Sequence, residues 1–259
     1  MTAIEFNADV ARNLERMYST PDVLGQRSRF LALAGVRPGE RVLDIGVGPG
    51  FLCADMAPIV GEKGRIAGID QSDAMLEVAR GRCSEFGWAD FHAADATSLP
   101  FEDGSFDLVT STQVYEYVPD MATALSEVHR VLRPGGRVWI LDTDWDSVTW
   151  ATDDHGRMRR VMDAWDAHLH DPHLPATLIP KLEAAGLGVT GIEIIPLLNT
   201  SLHSHCYSGG ILGAIQTFVV GAGFPADEAQ AWADEQRARS ERGAYFFTIN
   251  RSCFGAVRA

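Results

Sequence analysis

Lysine is almost missing from this chain: Lys63 and Lys181 stand against 20 arginines, and 22 basic side chains face 35 acidic ones for a formal charge of −13 over 259 residues. The deficit is shared, about −8 over residues 1–142 and about −5 over 143–259, so no basic segment hides under the average. Nucleic-acid affinity comes largely from clustered Lys and Arg that neutralise phosphates, which excludes a nucleic-acid partner and favours a small-molecule substrate. Cysteine is scarce too. Cys53, Cys83, Cys206 and Cys253 lie far apart with no CxxC pair, which excludes a disulfide framework and a zinc-finger pattern. No run of 18 apolar residues occurs, so no membrane span is expected. The N-terminal stretch carries Glu5, Asp9 and Glu15 where a signal peptide needs an apolar core, which predicts a cytoplasmic protein.

What the chain does contain is an alternation of short apolar runs and helical segments. Arg41–Ile45, Arg65–Ile69, Trp88–His92, Phe106–Ser111 and Arg137–Leu141 read as five strands. Phe51–Val60, Ala74–Phe86 and Met121–Val131 read as the helices between them, the second capped by Ser72 or Asp73. Strands alternating with such helices predict right-handed parallel βαβ units, an α/β doubly wound Rossmann-like sheet. Val189–Leu198 and Tyr245–Val257 add a late pair of antiparallel type, making seven strands in a single domain of residues 1–259. Residues 1–40 form an N-terminal helical cap in this reading. Two stretches, 143–173 and 199–243, are too long for ordinary connections and are expected to be lid insertions, mostly helical, with Asp154–Leu169, Ala176–Ala185 and about 210–242 as helices near or within them.

The strongest chemical signal is Asp44-Ile45-Gly46-Val47-Gly48-Pro49-Gly50 at the end of the first strand. Three alternate glycines leave the turn without Cβ atoms that would block a ligand resting on the backbone. A dinucleotide loop needs G-x-G-x-x-G, whereas Phe51 follows Gly50 here, and Pro49 has no amide proton to offer a phosphate. The loop therefore suits a nucleoside without a pyrophosphate.

This D-x-G-x-G-x-G run resembles the first motif of class I S-adenosylmethionine (SAM) dependent methyltransferases, and later features follow in that family's order over about residues 40–142. The resemblance implies that Asp70, with Gln71 beside it, ends the second strand on the ribose hydroxyls, and that Asp95 and Ala96 meet the adenine. It implies that Thr112 and Gln113 line the methionine end. Leu132-Arg133-Pro134-Gly135-Gly136 resembles the turn before strand five. The likeness is greatest to the ubiquinone-biosynthesis-like group of small-molecule methyltransferases. Many of that group have Glu-His where this chain has Glu116-Tyr117, so Tyr117 is either a contact of the cofactor or an aromatic at the pocket rim. Asp44 is read as a ligand contact or as an anchor of the glycine loop through backbone amides, and Asp95 as a ligand contact or a turn-former. Tyr18 and Arg27 are candidates to fold over the methionine carboxylate.

Methyl transfer from a sulfonium is an in-line displacement in which holding the nucleophile and excluding water suffice, with S-adenosylhomocysteine as product. Asp142-Thr143-Asp144-Trp145 follows strand five at the expected pocket mouth. His168, His170 and His173 lie near one helix end, while Asn199, His203, His205 and Tyr207 open the second insertion. Trp145, His168, His173 and Tyr207 are the candidates for a base or substrate contact. The histidines have no acid or cysteine in ligand spacing, so no metal is expected. The acceptor is read as a small, apolar or aromatic metabolite taking the methyl on O, N or C, and the protein as a monomer or homodimer. A nicotinamide-dependent oxidoreductase and a SAM-binding protein with other chemistry remain the alternatives.

Overall fold

The structure is a computed structural model and describes residues 15–259; the first part of the expected N-terminal cap, residues 1–14, lies outside the described residues. The strands are β1 (Arg41–Ile45), β2 (Arg65–Asp70), β3 (Ala89–Ala93), β4 (Phe106–Thr112), β5 (Leu132–Thr143), β6 (Thr149–Trp150), β7 (Leu187–Asn199) and β8 (Phe247–Arg258). The helices are α1 (Pro21–Ala34), α2 (Phe51–Val60), α3 (Asp73–Arg82), α4 (Met121–Val131), α5 (His155–Asp166), α6 (Leu174–Ala184), α7 (Tyr207–Gly221) and α8 (Ala226–Glu241).

The first five strands pair in parallel in the order β3-β2-β1-β4-β5, and β8 runs antiparallel between β5 and β7. The expected five-plus-two arrangement is therefore present, with an eighth strand added. That strand, β6, is two residues long and pairs with Phe247 and Thr248 of β8. Strand β5 ends opposite Arg251, so β6 continues its edge along β8.

Burial on both faces explains the unbroken apolar runs of the central strands. In β1, Val42 points into one core with Phe30 of α1, Met56 of α2 and Leu76 of α3, while Leu43 and Ile45 point into another with Leu125 of α4 and Leu178 of α6. Ser72 caps α3, its Oγ accepting from the Met75 amide at 3.3 Å. Asp120 caps α4 by accepting from Thr123 N at 3.0 Å. A third core belongs to the two long insertions. Trp145, Trp150 and Trp165 meet Ile211 and Ile215 of α7 and Trp232 of α8 over Leu197, Phe247 and Ile249 of β7 and β8. The stretch expected to be mostly helical over about 210–242 forms two helices, separated at Gly223, with φ +96°, and Pro225.

Candidate functional site

A cavity of about 940 Å³ opens where β1, β2 and β4 end in their carboxyl termini, the position at which open parallel sheets bind ligands. Its floor is the glycine loop. The loop is tied down by backbone bonds from Val47 N to Ile69 O at 2.8 Å and from Gly50 N to Val47 O at 3.0 Å. The three glycines divide the work. All have positive φ, +69° at Gly46, +51° at Gly48 and +80° at Gly50. Gly46 and Gly48 line the cavity. Gly50 does not; a Cβ there would sit 2.8 Å from the Ala79 Cα, so this glycine lets α3 approach the loop.

Asp70 grips the loop from β2. One carboxylate oxygen accepts from Gly48 N at 2.9 Å and the other from Ser72 N at 2.9 Å. Burial pushes its pKa up, and these amides oppose the shift. A carboxylate has about four lone-pair sites, so acceptor capacity remains for hydroxyls on a ligand. Asp95 faces the same cavity and also shapes its own turn, accepting from Thr97 N at 2.7 Å and from Gln71 Nε2 at 2.7 Å. The turn-forming reading of Asp95 is thus seen directly, and the side chain also stands in the cavity wall. Asp44 lines the cavity too, but its partners are the Thr110 hydroxyl at 2.8 Å and the Cys53 thiol at 3.5 Å, and no bond to a loop amide occurs among the described residues. Its anchoring role runs through side chains of β4 and α2.

Burial lifts the Asp44 carboxyl to about 7, against the hydroxyl and thiol that favour its ionised form. A carboxyl raised in the native state contributes stability that is complete below its unfolded pKa and lost as pH rises through the native value. Asp44→Asn is therefore expected to gain stability relative to the parent between pH 4 and pH 8, on the order of 4 kcal/mol. Chemical denaturation of both proteins across that range checks it, and a difference independent of pH counts against a buried, protonatable Asp44.

The cavity wall is also aromatic: besides Ala96, Thr112 and Gln113 it is lined by Tyr18, Tyr117, His168 and Tyr207. Gln113 has φ +60°, the left-handed region for a residue with a Cβ, and such strain gathers at functional sites. Its amide donates to Thr143 Oγ1 at 2.5 Å. His168 stacks on Trp165 with ring centroids 3.6 Å apart, and its Nδ1 lies against the Trp165 carbonyl. Burial lowers its pKa to about 4, which keeps the imidazole neutral near pH 7 with Nδ1–H donated and Nε2 left as an acceptor. Arg27 lines the cavity but is held by Asp55 at 2.5 Å and by the Tyr18 carbonyl at 3.1 Å.

Two of the candidates expected at the pocket mouth stand elsewhere. Trp145 is turned into the insertion core, edge-on to Trp165 at 5.5 Å. His173 lies outside the cavity and ion-pairs with Asp146 at 3.2 Å. The turn between them is set by Asp144, whose carboxylate accepts from Asp146 N at 3.2 Å. Asp144, Asp146 and His173 bring one potential ligand atom each within 4.8 Å of one another, so the fold sets two acids beside a histidine for which the sequence showed none in ligand spacing.

Arg251 is a cavity residue with no counterpart among the sequence-based site candidates. This residue of β8 is 1% exposed, lines the cavity, donates to Thr143 Oγ1 and lies 4.7 Å from the Tyr207 ring centroid. The arginine within the strand-like segment Tyr245–Val257 was the available signal. Beneath it lie two buried acids. Burial raises both Glu116, to about 7, and Asp142, whose Oδ1 accepts from Val114 N at 3.0 Å.

A doubly wound sheet with a phosphate-averse glycine loop and acids at the ends of β2 and β3 defines a nucleoside-binding α/β enzyme. The comparisons narrow this. The methyltransferase domain family matches residues 43–140. An uncharacterized 37.1 kDa protein in transposon TN4556 of Streptomyces fradiae is 33% identical over 249 residues, covering 93% of this chain and 69% of that protein. The ubiquinone/menaquinone biosynthesis C-methyltransferase of Teredinibacter turnerae is 42% identical over 115 residues, 43% of this chain and 46% of that enzyme. This chain's match therefore spans less than half the length of that quinone methyltransferase. In structure, a SAM-dependent methyltransferase from Aquifex aeolicus superposes with a TM-score of 0.57 at 16% identity, over 98% of this chain and 100% of that one. The YcgJ protein of Bacillus subtilis gives a TM-score of 0.64 at 22% identity, over 91% and 98%. At these identities the structural likeness is one of fold.

The chain belongs to the class I SAM-dependent methyltransferases. No described helix is long and apolar enough to cross a membrane.

Proposed function

We propose that the cavity holds SAM along the loop and the ends of β1–β4, and that a small aromatic acceptor is received beside Tyr18, Tyr117 and Tyr207. The observation that carries this is a single cavity lined both by Gly46, Gly48, Asp70 and Asp95 and by the aromatic side chains of Tyr18, Tyr117, His168 and Tyr207. Its volume lies near the top of the roughly 300–1,000 Å³ span of ligand clefts, which gives room for two small molecules. The Gly48 backbone, where an added Cβ would meet nothing within 4 Å, offers the open cradle that a nucleoside needs.

Asp70 accepts from the ribose hydroxyls, Asp95 and Gln71 with Ala96 bound the adenine, and Thr112, Gln113 and Arg27 border the methionine end. When bound, SAM supplies an activated methyl on a sulfonium. The chain's own task is to exclude water and aim the acceptor atom. His168 orients an acceptor hydroxyl through Nε2; its low basicity makes it a positioning residue. Residues 143–173 and 199–243 act as lids, since they contribute His168 and Tyr207 to the cavity wall. The finished product is S-adenosylhomocysteine.

Calorimetry with SAM, S-adenosylhomocysteine and NADH tests the cofactor reading; binding of NADH without either sulfur ligand overturns it. A panel of phenols, amines and quinones tests methyl transfer, and SAM binding without any methylated product overturns that step. Asp70→Ala is expected to weaken SAM by about 1–3 kcal/mol, the cost of removing a charged hydrogen-bond partner. The same variant also frees the Gly48 amide, so a folded Asp70→Ala with unaltered affinity would remove Asp70 from the site.

A further inference from the structure

Resting on the SAM reading above, we propose that Arg251 is a specificity residue that receives an anionic oxygen of the methyl acceptor, a carboxylate or phenolate on an otherwise apolar ring. The case is one of charge balance. Arg251 is 1% exposed and faces the cavity. Its Nη1 donates to the Thr143 hydroxyl, and its guanidinium lies against the Tyr207 ring, yet its Nε has no partner. Among the described residues no carboxylate lies within 4.0 Å of it. Buried guanidinium groups are normally paired, because an unpaired charge in a low-dielectric site is costly.

The nearest acids, Glu116 and Asp142, feel the Arg251 charge, which opposes the upward push of burial on both, but neither carboxylate lies within 4.0 Å of the guanidinium, and their hydrogen bonds go to the Thr143 backbone amide and, at 3.0 Å, to Val114 N. The other titratable groups around the guanidinium are the Tyr18 and Tyr207 hydroxyls, both pushed up by burial, and behind Tyr207 the Asp22 carboxylate, which is committed to Tyr207 N at 2.8 Å and to the Asn199 amide at 2.8 Å. Val23, Phe30 and Leu169 also line the cavity, walls suited to a ring rather than to a polar chain. An acceptor with an apolar ring and one anionic oxygen meets both demands. A guanidinium's planar fork also grips a carboxylate or phenolate more firmly than an ammonium would.

The test uses the full chain loaded with S-adenosylhomocysteine, with naphthoate, naphthol and the neutral methyl naphthoate as calorimetric probes. Prior failure of S-adenosylhomocysteine to bind would count against the cofactor reading, and is thereby separated from this one. With cofactor product bound, the expected result is at least about tenfold tighter binding of an anionic probe than of the ester, the worth of one charge-assisted hydrogen bond. Preference for naphthoate assigns a carboxylate; naphthol affinity that rises with pH assigns a phenolate. Arg251→Met is expected to bring anion and ester to parity, and Arg251→Lys to keep part of the preference, with S-adenosylhomocysteine affinity unchanged in both. If Arg251→Met does not fold, the parent and Arg251→Lys decide the matter. Equal affinities for anion and ester in the parent, no binding of either anion, or a preference that survives Arg251→Met would overturn the proposal.

Discussion

Gly46→Ala is expected to destabilise the protein by about 2–5 kcal/mol, while Gly48→Ala, two residues along the same loop, is expected to cost about 1–2 kcal/mol and to act chiefly on cofactor binding. Both positions have positive φ, +69° and +51°, where a side chain with a Cβ is strained. That common penalty is about 1–2 kcal/mol. The difference lies in what the new methyl meets. At Gly46 it would fall 2.2 Å from Val114 Cγ2 and 2.9 Å from Cγ1, and Val114 follows the strained Gln113 with its amide held by Asp142. The valine cannot retreat without pulling on that bond, so overpacking adds about 1–3 kcal/mol. At Gly48 nothing lies within 4 Å, and the residue lines the cavity. The methyl there takes space that the nucleoside would use. Denaturant unfolding and S-adenosylhomocysteine calorimetry on both variants separate the two effects. Equal stability losses, or normal cofactor affinity in Gly48→Ala, would contradict this division of labour.

The parallel half of the sheet was readable because its strands are buried on both faces and its turns are punctuated by Gly and Asp. Val42, Leu43 and Ile45 could hardly serve any other structure, and Asp70 stood out as a carboxylate at the end of such a run. Local pattern also located the insertions. It failed where the chain's direction depends on distant partners. Trp145 and His173 follow β5 as expected, but the Asp144 turn and the pull of Trp165 and Phe218 take the ring of Trp145 away from the cavity. Arg251 was invisible for the complementary reason. Its strand pairs with β5 and β7, 108 residues separate it from Thr143, and only that pairing brings its guanidinium to the end of β5. A positive charge in a buried strand is legible in sequence; the cavity it faces is not.

Trp232→Ala is expected to cost about 3–5 kcal/mol, a large share of the roughly 5–15 kcal/mol that stabilises an ordinary domain. Trp232 is fully buried, lies edge-on to Trp150 at 5.2 Å, and directs its indole N–H at Met158 Sδ at 3.3 Å. It is the one large apolar side chain that α8 inserts, beside Ala229 and Ala233, so no neighbour on that helix can fill the space it leaves. The loss is expected to be unequal across the molecule. The insertion core shares no buried residue with the two cores that sandwich β1–β5, and it meets the sheet through the far ends of β7 and β8 at Leu197, Phe247 and Ile249. Hydrogen exchange should therefore accelerate in α5, α7 and α8 while β1, β4 and α4 keep their protection. S-adenosylhomocysteine, seated on the sheet, should still bind, and binding of an aromatic acceptor that needs His168 and Tyr207 should fall. Exchange that rises evenly through β1, β4 and α8 would show instead that the three cores unfold as one unit, and the insertions would then be part of the sheet's cooperative structure rather than lids carried on its edge.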